Sequence, residues 1–210
     1  MPSVTRRVRP LADRRAVESR VLNATTGLLD GGASYTELSV GAIADASGIA
    51  RSTFYVHFAD KTALLTRLVA EAVGDLFAIT GEWFGDDDDD GPAVLAKVLR
   101  RFVAGARARR QILAAVIETM AYDAEVEALW VSQVDVLAEH IHSRIAAAKE
   151  AGYVAQDVDV DLLTSIAAWT VERNVVRQVL AGDPRTDPEF ADALARALWL
   201  MIFGDAPTPA

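Results

Sequence analysis

The chain has 210 residues, 51% of them hydrophobic, so it can bury one large core or two small ones. It has no cysteine, which excludes a disulfide framework and any thiolate metal site. The formal net charge of −9 counts against a polyanionic partner until its distribution is read: residues 1–70 hold nine Lys/Arg against six Asp/Glu, and residues 71–210 hold twelve against twenty-four. A basic head on an acidic body orients a protein toward a polyanion. Helix formers dominate and alternating strand patterns are nearly absent, which predicts an all-α protein of about nine helices.

Residues 1–12 read as a basic arm, with Arg6, Arg7 and Arg9 ahead of Pro10. Such an arm either follows phosphates and reaches the minor groove or serves as a solubilising tail. It lacks the apolar core of a signal peptide, and the longest apolar stretch, Ala197 to Phe203, is too short to span a bilayer. A cytoplasmic setting without a membrane partner is therefore expected.

Helix 1 is predicted from an Asp13 N-cap to Leu29, with Val17, Val21, Ala24 and Leu28 as its buried stripe and Gly31-Gly32 as its stop. Helix 2 is predicted to start after Ser39. Its short pattern (Val40, Ile43, Ala44) breaks at Gly48, and a second short pattern (Ile49, Phe54, Phe58) follows after one tight turn. That is the grammar of a helix-turn-helix, whose second helix enters the major groove of DNA. Arg51, Ser52, Thr53, Tyr55, His57 and the following Lys61 can all donate hydrogen bonds, and none is acidic. Together with Ser39 they form the candidate DNA-binding set. Tyr55 and Lys61 are expected on phosphates, and Arg51, Ser52 and Thr53 on base edges.

Helix 4 is predicted after Asp60, reaching about Gly81 or Phe84, roughly 33 Å at the usual rise. The expected division is a DNA-binding head at 1–60 and a body at 61–210. Asp86 to Asp90 repel one another and read as a loop. Asp157, Asp159 and Asp161 imitate the opening of an EF-hand loop, but the sixth position is Leu162 and the twelfth Ala168, so these acids are expected to cap the next helix instead. Five body helices are predicted at about Pro92–Arg107, Arg110–Tyr122, Glu125–Ala151, Asp161–Ala181 and Pro188–Phe203.

Large apolar residues on these elements suggest a chamber between helices for a small apolar molecule. The candidate ligand-binding residues are Phe77, Trp83, Phe84, Phe102, Ile117, Met120, Trp130, Trp169 and Arg173, with Tyr122 nearby; each apolar one also suits an ordinary core. Glu172, Arg173 and Asn174 interrupt an apolar helix, either to hydrogen-bond a ligand or as a buried ion pair. Ile166, Trp169 and Val176 stripe one of the last two helices, and Leu194, Leu198, Met201 and Ile202 the other. That is more apolar surface than a monomer should expose.

The string G-I-A-R-S-T-F-Y-V-H-F-A-D-K-T-A-L-L closely resembles the N-terminal signature of the TetR family of transcriptional regulators. Gly48, Ile49, Ser52, Thr53, Tyr55, His57, Phe58, Lys61 and Leu64 carry the resemblance, which covers roughly residues 12 to 70. One departure is Ala50, where the family more often opens the recognition helix with Ser or Thr. Such a cap swap costs about 1 kcal/mol, to be met either by Ser52 or by fraying of the helix start. Glu118 to Trp130 and Trp169 to Asn174 resemble, more loosely, the body of EthR-like members. The resemblance implies a repressor that binds double-stranded, palindromic operator DNA as a homodimer through residues about 162–203 and is released by a small apolar effector. An activator or an architectural DNA-binding protein without an effector is the alternative. No enzyme is expected, hence no catalytic residue, metal or cofactor. His140 and His142 face different ways on a helix, and no HExxH, GxSxG, Walker or GxGxxG motif occurs.

Overall fold

The computed structural model describes residues 11–72, 76 and 91–204. Among them lie nine α-helices and no strand. They are α1 (Leu11–Asp30), α2 (Val40–Ala46), α3 (Arg51–His57), α4 (Lys61–Ala72), α5 (Pro92–Ala108), α6 (Arg110–Thr119), α7 (Ala124–Glu150), α8 (Val160–Ala181) and α9 (Asp187–Phe203), with a 3-10 turn at Pro184–Thr186. The body helices begin and end within three residues of their expected bounds. The basic arm up to Pro10, the reach of helix 4 past Ala72 (Leu76 apart) and the Asp86–Asp90 loop lie outside the described residues. The chain forms two compact units that divide between Leu68 and Val69, inside α4.

In the first unit, α1 begins ahead of Asp13, which sits in the first turn rather than capping it. Its buried side is Val17, Val21, Leu22, Thr25 and Leu29, while Ala24 and Leu28 are only half-buried. The expected stripe is thus turned by one position, because Thr25 can face inward. Its hydroxyl donates to the Val21 carbonyl at 2.8 Å, so burying it leaves no polar group unsatisfied. At the helix end Gly32 takes φ +91°, Gly32 N donates to Leu29 O and Ala33 N to Leu28 O. That is a Schellman stop, as the paired glycines predicted.

The same device makes the turn of the helix-turn-helix. Gly48 has φ +64°, with Gly48 N on Asp45 O and Ile49 N on Ala44 O. Ser39 caps α2 by accepting from Ala42 N at 3.0 Å. Buried Tyr35, Leu38, Ile43, Phe54, Phe58, Leu64 and Leu65 close the small core around these turns.

In the second unit α5 packs along α9, α7 packs along α8, and α6 touches both α7 and α8. Caps set the helix starts: Asp123 accepts from Glu125 N and Val126 N at α7, and Asp159 accepts from Leu162 N at α8. Asp159 therefore does the capping expected of it. The end of α8 is held by arginines from neighbouring helices. Arg107 donates to the carbonyls of Gln178 and Val179 and forks onto both Asp187 oxygens at 2.8 Å. Arg110 donates to Val179 O and Leu180 O. Cations there offset the negative end of the helix dipole and occupy carbonyls that the helix itself cannot satisfy. Among the described residues no helix is long and apolar enough to cross a membrane.

Candidate nucleic-acid interface and ligand cavity

Phe54, with no exposed surface, and Phe58 anchor α3, their ring centres 5.4 Å apart. Helical spacing then turns Arg51, Ser52, Tyr55 and Val56 to the solvent. The Arg51 guanidinium lies over the Tyr55 ring at 5.8 Å, and its Nη2 is 3.5 Å from the Tyr55 hydroxyl. Ser39, exposed at the start of α2, uses its oxygen as the cap and keeps its proton to donate. Thr53 is half-buried in the groove between α1 and α3, near Val17 and Arg20. Val56, outside the predicted set, lies off the Phe54/Phe58 stripe and is exposed on the same helix.

Two predicted DNA-binding residues are engaged inside the unit. The His57 side chain is 2% exposed and its Nδ1 is 3.4 Å from Glu18 Oε1, so it points toward α1 rather than outward. Burial pushes the Glu18 carboxyl up, but hydrogen bonds from Arg14 and His57 outweigh it and hold the group below the usual carboxylate range. Lys61 Nζ donates to the carbonyls of Tyr35 at 2.6 Å and Thr36 at 3.1 Å, and sits 4.9 Å from the Tyr35 ring centre. The Tyr35 hydroxyl in turn donates to Lys61 O. This exchange pins the start of α4 to the loop before α2. Ala50 gives α3 no side-chain cap, and Ser52 makes no hydrogen bond among the described residues, so the expected compensation is not made.

The second unit encloses a narrow apolar cavity between α5, α6, α7 and α8. Phe102, Ala106, Leu113, Trp130, Val175 and Val176 line it, with Leu76 and one acid, Glu172. The empty space is about 250 Å³, yet its walls approach so closely that little more than one water-sized sphere fits. Trp130 Nε1 donates to Glu172 Oε1 at 2.9 Å, and Glu172 is 4% exposed. Its Oε2 has no hydrogen-bond partner; Arg173 Nε stands 3.8 Å away, too far to donate, on a mostly exposed side chain.

Of the predicted ligand-binding residues, the structure brings Phe102 and Trp130 into this cavity. Ile117 and Met120 are half-buried away from its lining, Trp169 and Arg173 face outward, and Tyr122 is exposed. Phe77, Trp83 and Phe84 lie outside the described residues. Of the buried ion pair considered for Glu172, Arg173 and Asn174, the structure keeps one long contact, Arg173 Nε to Glu172 Oε2 at 3.8 Å, made from a mostly exposed arginine. Successive helical residues point about 100° apart, so only Glu172 shares the inner face with Ala168, Val175 and Val179. Asn174 instead bonds back to Thr170 O.

The apolar stripes on α8 and α9 also need correction. Leu194, Leu198 and Ile202 are buried within the chain because the apolar side of α9 packs on α5, and Val176 is buried at the body cavity. Met201 is half-buried. The outward apolar residues are Leu162, Ile166 and Trp169 on α8 and Leu200 on α9.

A short second helix behind a glycine turn, exposing donors and no acid, defines a helix-turn-helix DNA-binding regulator. Residues 31–68 match the family model described as bacterial regulatory proteins, tetR family. Along 98% of its length the chain is 26% identical to the HTH-type transcriptional regulator EthR of Mycolicibacterium smegmatis, covering 94% of that protein. The helix-turn-helix segment is thus that of the tetR family of transcriptional regulators, and the chain is distantly homologous to EthR over nearly its full length. The fold recurs in the fatty acid degradation regulator FadR from Bacillus halodurans, with a TM-score of 0.70 and 18% identity, covering 90% of this chain and 96% of that one. It recurs again in FadR from Bacillus subtilis in complex with stearoyl-CoA, with a TM-score of 0.70 and 16% identity, covering 90% and 99% of the two chains.

Proposed function

We propose that this regulator is a repressor that binds a palindromic operator as a homodimer and releases it when a small, largely apolar molecule enters the body cavity. The observation that carries the reading is the outward face of α3, where Arg51, Ser52 and Tyr55 are exposed beside Ser39 with no acid among them. Phosphates and base edges reward such a face. In this reading Tyr55 meets phosphates and Arg51, Ser52 and Thr53 meet base edges, while Lys61 stays on the Tyr35 and Thr36 carbonyls and positions the start of α4.

The dimer forms through residues within 162–203, led by the exposed Leu162, Ile166 and Trp169. Two paired heads must match grooves roughly 34–36 Å apart, or a multiple of that. A ligand that binds a misfit spacing better than the DNA-ready one lowers operator affinity. A coupling of about 1–3 kcal/mol gives roughly 5- to 150-fold. The stearoyl-CoA complex of the Bacillus subtilis relative supports an apolar occupant for this kind of body.

The test is selection of duplexes from a random pool by the purified protein, followed by footprinting. An enriched inverted repeat, lost with Tyr55→Ala, is expected. A pool that stays unenriched under conditions where the protein binds DNA would refute sequence-specific regulation. The near-closed cavity also suits a DNA binder without an effector. An apolar ligand that raises the melting temperature and weakens operator binding separates the two readings.

A further inference from the structure

The cavity in the body has an unequal chemistry. Among the described residues its walls are apolar side chains except for Glu172, and one oxygen of that carboxyl group is committed: Trp130 Nε1 donates to Oε1 at 2.9 Å. That bond fixes the carboxylate and leaves Oε2 buried without a hydrogen-bond partner. Buried acceptors in native proteins are nearly always satisfied, so an exception needs a reason. Ordered water is a poor one here. A buried water needs two to four polar partners, and among the described residues the lining offers it Glu172 alone beside apolar side chains. Arg173, at 3.8 Å and mostly exposed, does not serve either.

We infer that the effector carries a hydrogen-bond donor, a protonated amine on an apolar body, and that Glu172 Oε2 receives it. The inference rests on the body cavity being the effector site. An ammonium supplies the missing donor at hydrogen-bond range, which Arg173 at 3.8 Å does not reach, and charge-assisted bonds of this kind are the stronger ones. A purely hydrocarbon tail would leave Oε2 unsatisfied, and an anionic head beside it would add like-charge repulsion in an apolar setting. Glu172 therefore sets specificity by rejection as well as by attraction.

Three probes of equal chain length, each of which must part the close walls to enter, separate these cases: octylammonium, octanol and octanoate, each followed by melting temperature and tryptophan fluorescence. On the wild-type protein octylammonium should bind about tenfold or more tightly than octanol, and octanoate more weakly than either. Glu172→Gln keeps an oxygen for the Trp130 N–H but replaces the free acceptor with a donor. In that variant the advantage of octylammonium over octanol should vanish. Non-specific attraction of a cation to a chain of net charge −9 would survive the substitution, so an unchanged advantage overturns the inference. Should Glu172→Gln fail to fold, the wild-type ranking decides, and octanol or octanoate binding as tightly as octylammonium overturns it while leaving the cavity as an effector site. Binding of none of the three overturns the effector reading itself, and this inference with it.

Discussion

Ile166→Asp should convert the protein from dimer to folded monomer. Leu162, Ile166 and Trp169 are 64%, 57% and 39% exposed at spacings of four and three along α8. Fully burying a large apolar side chain contributes about 1.5–3 kcal/mol, so completing the burial of each is worth roughly 1 kcal/mol. A two-fold interface counts each residue twice, giving on the order of 6 kcal/mol from these positions. Ile166→Asp removes about 2 kcal/mol of that and places two carboxylates in apolar contact, costing at least ~2 kcal/mol more. A loss of about 4 kcal/mol weakens dimerisation roughly a thousandfold. Sedimentation velocity over a concentration series measures it. Leu198→Ala is the contrast: Leu198 is buried in the protomer, so truncation should cost about 2–5 kcal/mol of folding stability rather than releasing monomers. A folded Ile166→Asp protein that sediments like the wild type, or a wild type monomeric throughout, would refute the reasoning.

Three further outcomes follow from the local geometry. Tyr55→Ala should weaken operator binding about tenfold or more, the loss of one hydrogen bond to a charged group, while lowering the melting temperature only a little because about half of the residue is exposed. Gly48→Ala should cost about 1–2 kcal/mol of stability through the left-handed backbone alone, since nothing lies within 4 Å of the added carbon. Gly48→Asn should recover part of that, and equal melting of all three proteins would sink the turn argument. Arg107→Met should cost roughly 2 kcal/mol, because it strips the fork from half-buried Asp187 and two carbonyls from the end of α8. The Arg107 hydrogen bond holds the Asp187 carboxyl below the usual carboxylate range, despite burial. The folded value is depressed, so this contribution is full above the unfolded value near pH 4 and is lost as pH falls through the depressed folded value. Wild type and Arg107→Met should therefore converge in denaturant midpoint at low pH, and a gap that stays constant with pH would contradict the assignment.

The DNA-binding head was legible because its signals are local. The Gly48 turn, the Ser39 cap and the Phe54/Phe58 anchor each act within a few residues, and the structure keeps all three. The inward use of His57 and Lys61 was not legible, since it depends on Glu18, Tyr35 and Thr36, which are 39, 26 and 25 positions away. A donor in sequence is only a donor to something, and no spacing rule says to what. The Thr25 position shows the same limit in reverse. A polar residue displaced the predicted apolar stripe of α1 because it could bond its own backbone.

Sidedness was the harder problem in the body. Helix α9 carries apolar residues on nearly every face from Leu194 to Phe203, so periodicity could not say which would meet α5 and which would meet solvent. The assignment of Leu198 to an outer surface failed for that reason. Glu172 escaped for a different one. Beside Arg173 and Asn174 it looked like part of a polar cluster, but adjacency in sequence is not adjacency on a helix. Only Glu172 falls on the face shared with Val175 and Val179, and there Trp130 from α7 satisfies one of its two oxygens. A charged residue in register with an apolar helix face, next to polar neighbours that are out of register, is therefore the pattern that marks a buried acid rather than a solvated cluster.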